Sequence, residues 1–295
     1  MMPERPELPI LPFSVIRDTL DRLLVAMVNR LDRDCPKGIA QLPGAQPFFL
    51  VTIETAKNCY EAIRWVTADI PKDQSPPLDL CLATPPLVRM LADLLFTVVF
   101  LGEDLPKRVA WYHKSGWREL KEECDRYHEE YGACAEWQDW LKSYAAGVEV
   151  AQQKWGISRE EAQNLKLVKW WPTPGKMLKA KSGLSEKRRV FLQYVYDWVY
   201  KNLSASAHLS AAAIVRNAGF LLLPREERRE GILRKLKSDS VFTAITLVVA
   251  ICTEVNALGY FERDEPIEYL WGVLTGYSGE AQGLYQRRYG ALLSE

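Results

Sequence analysis

The chain of 295 residues has no excess of either charge: 38 lysines and arginines stand against 38 aspartates and glutamates. Proteins that follow a phosphate backbone usually carry a basic surplus, because affinity comes from neutralising phosphates. The balance argues against a dedicated nucleic-acid binder and leaves only local basic segments to consider. Histidine is scarce, at three residues, His113, His128 and His208. The first two stand fifteen residues apart, about 22 Å along one helix, too far to share an ion. Neither H-E-x-x-H nor E-x-x-H occurs, so neither the helical zinc-protease motif nor a di-iron bundle is expected. The phosphate cradles G-x-x-x-x-G-K-[ST] and G-x-G-x-x-G are missing, as is the G-x-S-x-G nucleophile elbow. No cofactor and no metal are therefore expected.

The six cysteines (Cys35, Cys59, Cys81, Cys124, Cys134 and Cys252) include no C-x-x-C pair. Scattered thiols in a chain of this size read as reduced core fillers of a cytoplasmic protein. The opening "MMPERPELPILP" carries prolines and acids, unlike a secretory signal. Residues 1–12 are read as an extension to one all-α domain over 1–295, with a composition shift near 155–185 as the place for a subdivision. Two apolar stretches, Leu80 to Leu101 and Val241 to Phe261, approach membrane length. The first holds Arg89, Asp93 and two prolines, and the second holds Glu254 and Asn256. A spanning helix needs ~20 apolar residues, and a central charge costs roughly 2.5–3.5 kcal/mol. Both stretches are expected to be core helices, with no membrane partner.

What the sequence does contain is helical periodicity. Residues 13–33 place Ile16, Leu20, Leu23, Leu24 and Met27 on one stripe, with charges opposite. The spacing predicts further helices from about Pro47 to Asp69, Pro85 to Leu101, Leu105 to Gly132 and Ala135 to Trp155. Ser158 and Glu161 form a capping-box pattern before a short helix. Another helix is expected from about Ser185 to His208. After Pro224 a helix opens that either continues to Tyr260 or packs against a second, and two shorter helices form the tail. No strand alternation stands out, so the expected architecture is all-α: an irregular bundle of about nine to eleven helices.

Three groups of residues could carry chemistry. Tyr200, Ser204 and His208 are four apart, which on an intact helix makes a gently curving row, each step ~6 Å along the axis. Such a row is either a binding or catalytic face or a buried polar pin between helices. Arg89 and Asp93 share a face of the most apolar helix in the N-terminal half, as an internal ion pair or a polar pocket at the bundle centre. Glu54 or Glu254 could extend that pair. The basic segment 164–189, with Lys166, Lys169, Lys176, Lys179, Lys181, Lys187, Arg188 and Arg189 around Trp170 and Trp171, has the composition of a single-strand surface. It reads equally as a solvated face with a tryptophan packing anchor.

Four segments in order, "ATPPLVRMLADLLFTVVFL", "RVAWYHKSGWRELKEE", "KWWPTPGKMLKAKSG" and "YVYDWVYKNLSASAHLSAA", resemble a helical bacterial family labelled a domain of unknown function. That family pairs an arginine-plus-acid helix with a later Y-x-x-x-S-x-x-x-H helix, and a tryptophan-containing segment lies between them. The resemblance spans roughly 45–260 and places Arg89, Asp93, Tyr200, Ser204 and His208 in a shared polar, ligand-binding centre. Family members more often have Glu near the Asp93 position. The resemblance implies an all-α fold and no defined activity. It is only distantly similar to helical toxin and defence ribonucleases, whose Arg-then-His signature lacks its arginine here, Lys201 being the nearest preceding cation.

The expectation is a helical binding or regulatory protein, with bacterial stress or phage defence suggested by the resemblance. Its partner would be a small ligand or another protein, a homo-oligomer included, with nucleic-acid contact confined to 164–189. The alternative is a metal-independent ribonuclease, with His208 as general acid or base and Lys201 or Arg89 holding phosphate.

Overall fold

Apolar residues spaced three and four apart fold the chain into helices, as the computed structural model shows for residues 13–67, 78–201, 203, 226–259 and 264–290. No strand occurs among the described residues, which form twelve α-helices. Three of these are single turns, so the count exceeds the nine to eleven expected. In chain order they are α1 (Phe13–Arg33), α2 (Lys37–Ala40), α3 (Ala45–Val66), α4 (Thr84–Leu101), α5 (Leu105–Tyr131) and α6 (Gln138–Lys154). There follow α7 (Arg159–Gln163), α8 (Pro174–Met177), α9 (Glu186–Val195), α10 (Glu226–Gly259), α11 (Glu265–Tyr277) and α12 (Gly279–Leu284). The apolar run after Pro224 is thus one continuous helix rather than two.

The second half of α10 is buried on every side from Ala244 to Val255, and α4 nearly so from Leu95 to Leu101. A helix without a polar face has to be covered all round. Helices α3, α4 and α10 pack mutually, α1 closes over α3, and α11 joins α1 and α10. Phe49, Ile53 and Tyr60 of α3 meet Leu91, Leu95 and Phe96 of α4 and Ile245, Val248 and Cys252 of α10 in one buried cluster. Each such aliphatic or aromatic side chain contributes roughly 1.5–3 kcal/mol on leaving water. By length and composition Leu80–Leu101 and Glu230–Leu258 could each cross a membrane; 56% and 78% of their apolar windows are buried within the molecule. All six cysteines are free thiols and four are buried. Desolvation pushes the Cys252 thiol up to about 12.

Three polar contacts are built into this core. Glu254 of α10 is 2% exposed at its side chain and is gripped by both ends of the Arg288 guanidinium, with Nη2 donating to Oε2 at 2.6 Å. Asp264 caps α11 by accepting from the Ile267 N–H and binds Arg30 of α1 at 2.6 Å. The indole N–H of Trp271 donates to Thr253 Oγ1 at 2.9 Å.

A second, smaller cluster joins Trp117, Cys124, Val148, Ile157 and Val168. It is built by the distal half of α5 with α6 and the segment after it. The charged face of α5 carries two ion pairs at i,i+4 spacing, Arg118 with Glu122 and Lys121 with Asp125. Ser158 and Glu161 form the expected capping box. The helix expected over Ser185–His208 differs: α9 stops at Val195, and Tyr196–Tyr200 forms a π-turn. A second π-turn spans Tyr285–Tyr289. Both are bounded by tyrosines four apart, and the widened turn seats those large rings against the core.

Replacing Arg288 by methionine strands the Glu254 carboxylate, and breaking a buried pair this way lowers stability by about 3–5 kcal/mol. The joint Glu254→Met/Arg288→Met chain recovers most of that loss. Urea denaturation midpoints check both; a single variant as stable as the parent contradicts the assignment.

Candidate functional site

Arg89 and Asp93 lie one turn apart on α4, with Arg89 Nε and Asp93 Oδ2 at 3.7 Å. Their side chains are 14% and 42% exposed, so the pair sits at the edge of the core and not at the bundle centre. The reason is rotational. Turning Leu91, Ala92, Leu95 and Phe96 into the interior leaves the 89/93 stripe at the rim. Glu254 does not extend the pair, because Arg288 engages it. Arg89 reaches Tyr200 instead: Nη2 donates to Tyr200 Oη at 2.7 Å, and the guanidinium carbon lies 4.8 Å from that ring's centroid. The π-turn sets this up by stacking the Tyr196 and Tyr200 rings at 5.2 Å and laying both against Phe96. Arg89, Asp93 and Tyr200 are therefore brought together. Lys201 is exposed on the next residue, and Ser204 and His208 lie outside the described residues.

Asp93 also lines a groove of about 530 Å³ between α3, α4, α5 and the end of α6. Phe48, Val51, Met90, Leu94, Tyr112 and Trp155 give it an apolar, aromatic lining. Val51 is 62% exposed and Met90 46%. Thr52 and Thr97 line it too, but their hydroxyls donate back to the Phe48 and Asp93 carbonyls at 2.8 and 2.9 Å. Further polar groups in the lining are the Asp93 carboxylate, the Lys154 ammonium, the His113 imidazole and the hydroxyls of Thr55 and Tyr112. Few polar groups on a mostly apolar concave wall is the usual make-up of a small-molecule site.

The wall of the groove is the stack of His113 on Trp155, with ring centroids 3.7 Å apart and planes 2° from parallel. His113 Nε2 lies 3.1 Å from the Gly44 carbonyl. Burial holds the imidazole below its ordinary pKa, outweighing that hydrogen bond. A carbonyl only accepts, so Nε2 carries the proton of the neutral ring and Nδ1 is left as an acceptor. Gly44 precedes α3 with φ of +80°, and a Cβ there would come within 2.4 Å of His113 and 2.5 Å of Trp155. Only glycine fits both the backbone and the space. On the other side of the stack a second cavity of about 820 Å³ shares Tyr112, His113 and Trp155 and adds Trp117, Glu119, Leu120 and Trp170.

Sequence reading weighed His113 only as a metal ligand and did not show this wall. The visible signals were a glycine in a proline-bracketed loop and a tryptophan closing α6. Nothing local joins them, since His113 and Gly44 are 69 positions apart. The paired tryptophans divide. The Trp171 ring packs edge-on against Phe100, Trp111 and Tyr112 at 5.0–5.3 Å, while Trp170 is half exposed beneath the Arg118 guanidinium. Among the described residues no group of three or more His, Cys, Asp or Glu side chains is placed to hold a metal ion.

Substituting Gly44 by alanine strains the left-handed backbone and collides with the stack, lowering stability by about 1–3 kcal/mol and altering the tryptophan near-UV circular dichroism. A depressed histidine pKa means that the unfolded chain binds more protons near and below pH 6.5. The contribution of His113 is thus complete above that pH and is lost as pH falls through the lower folded value. His113→Phe should make the decline of urea midpoints from pH 7.5 to 5 shallower than in the parent. Equal declines contradict a buried neutral His113.

No protein-family model matches the chain, and comparison with curated proteins and with solved structures finds no match either.

Proposed function

We propose that the protein is a soluble, cytoplasmic helical module that binds a flat, largely apolar small molecule in the groove lined by Asp93. The carrying observation is the groove itself, whose exposed Val51 and Met90 face an aromatic wall. A planar ligand would slide against Trp155 and Tyr112, with Asp93 accepting a hydrogen bond from an amine or N–H group on it. Arg89 then acts as a positioning residue, held by Tyr200 and holding Asp93. Free thiols and the burial of the apolar windows of α4 and α10 support a cytoplasmic, soluble chain. A regulatory role in stress or phage defence rests on the family resemblance alone.

The ribonuclease alternative is weaker on one point. Arg89, a candidate phosphate-holding cation, is already engaged by Tyr200 and Asp93. RNA cleavage should therefore be the same background in the parent and in His208→Ala. Loss of cleavage in the variant would favour the nuclease.

A thermal-shift screen of indoles and aromatic amines tests the groove. A ligand at one hundred times its Kd adds about 2.7 kcal/mol, enough to raise Tm by several degrees. Val51→Glu, which puts a charge in the groove at an exposed position, should abolish the shift without changing the unliganded Tm. Shifts that persist in Val51→Glu, or a screen with none in the parent, contradict the reading.

A further inference from the structure

A different stripe of α5, made by Lys107, Arg108, Trp111 and Lys114, borders with its capping residue Asp104 a third cavity of about 800 Å³. It is closed by the segment Leu167–Lys169 and the turn Lys181–Gly183. Five cations and three carboxylates line it. The carboxylates are engaged. Glu161 holds Lys114 at 2.7 Å and accepts from the Ser158 N–H, and Glu103 holds Arg188 at 3.1 Å and accepts from Ser185 Oγ. Asp104 caps α5 through the Lys107 N–H.

The cations are not balanced in return. Lys107, Lys169 and Lys181 are exposed and have no carboxylate at ion-pair distance among the described residues. Arg108 is 7% exposed, and its hydrogen bonds go to the carbonyls of Phe100 at 2.6 Å and Gly183 at 2.7 Å. Glu103 and Asp104 act on the Arg108 charge only through space, so five cations against three carboxylates leave the lining net positive, and concave low-dielectric walls focus that field.

The lysine-bearing segments are also fixed in place. Arg108 binds the Gly183 turn that follows Lys181, and Gly183 has φ of +76°, which favours glycine. The indole N–H of Trp111 donates to the Lys169 carbonyl at 3.0 Å. The indole of Trp111 and the half-exposed Leu167 add apolar wall between the cations.

We propose that this cavity binds a phosphorylated small molecule of nucleotide size, its phosphates held by Lys107, Lys169 and Lys181 and its apolar part lying against Trp111 and Leu167. The volume is in the usual range for a small-molecule site, about 300–1,000 Å³. The cations come from three segments gathered at one half-open cavity, which favours a compact ligand over a strand. None of these residues lines the groove of the proposed function, so the two sites stand or fall separately.

Isothermal titration with ATP, with inorganic pyrophosphate and with an oligouridylate of roughly ten nucleotides tests the assignment. The parent should bind ATP, and pyrophosphate should compete with it. The exposed triple variant Lys107→Gln/Lys169→Gln/Lys181→Gln should keep the parental Tm and circular dichroism yet bind ATP about tenfold or more weakly. Val51→Glu should bind ATP as the parent does. The assignment is overturned if ATP does not bind, if the triple variant binds it unchanged, or if pyrophosphate fails to compete. It is equally overturned if Val51→Glu loses ATP binding, or if the oligonucleotide binds more tightly than ATP, which would mark a strand surface.

Discussion

Two helices in this protein have almost no polar face, and the rest of the structure depends on covering them. The apolar parts of α4 and α10 would be insoluble alone, so α3, α1, α11 and the π-turn after α9 are laid around them. The charged groups and the indole that reach that interior find partners there: Glu254 with Arg288, Asp264 with Arg30, Trp271 with Thr253. The same requirement explains the rim position of Arg89 and Asp93. Their stripe on α4 is the part that the covering helices do not reach, and it is where the groove opens.

Helix α5 borders both proposed sites because it belongs to both packing clusters. Its first turns rest on the main core through Leu105 and Val109, while Trp117 and Cys124 anchor the smaller cluster with α6. Between those anchors its remaining faces are free to line cavities. One stripe presents Tyr112 and His113 to an apolar groove, and another presents Lys107, Arg108 and Trp111 to a basic cavity. The chemistry of the two is complementary: one is poor in charge and aromatic, the other rich in unbalanced cations. A neutral overall composition conceals this local separation.

The fold was legible because it rests on local rules. The stripe of Ile16, Leu20, Leu23, Leu24 and Met27 marks α1, Gly132 and Gly156 mark helix ends, and Ser158 with Glu161 marks a helix start. Part of the site was legible too, since Arg89, Asp93 and Tyr200 do meet. The burial of the Arg89–Asp93 pair was misread, because periodicity shows that two residues share a face but not which neighbour covers it. The π-turn at Tyr196–Tyr200 was not legible either, because the apolar spacing there fits an ordinary α-helix. The His113–Trp155–Gly44 wall could not be read at all, because it is made by residues from three distant segments whose only shared property is their contact. The basic segment 164–189 was seen as a charge run; its meaning changes once Trp111 and Arg108 fix two of its lysines around one cavity.

The central claim is that the edge of α4 forms a ligand groove where its covering is incomplete. Methyl-labelled methionine separates this from general binding to exposed apolar surface. Met90 lies in the groove, whereas Met27 and Met177 are buried elsewhere in the core. Titration with a soluble indole, followed by methyl NMR, should move the Met90 signal saturably and leave Met27 and Met177 in place. A Met90 signal that does not move, or one that moves linearly without saturating, would contradict the account.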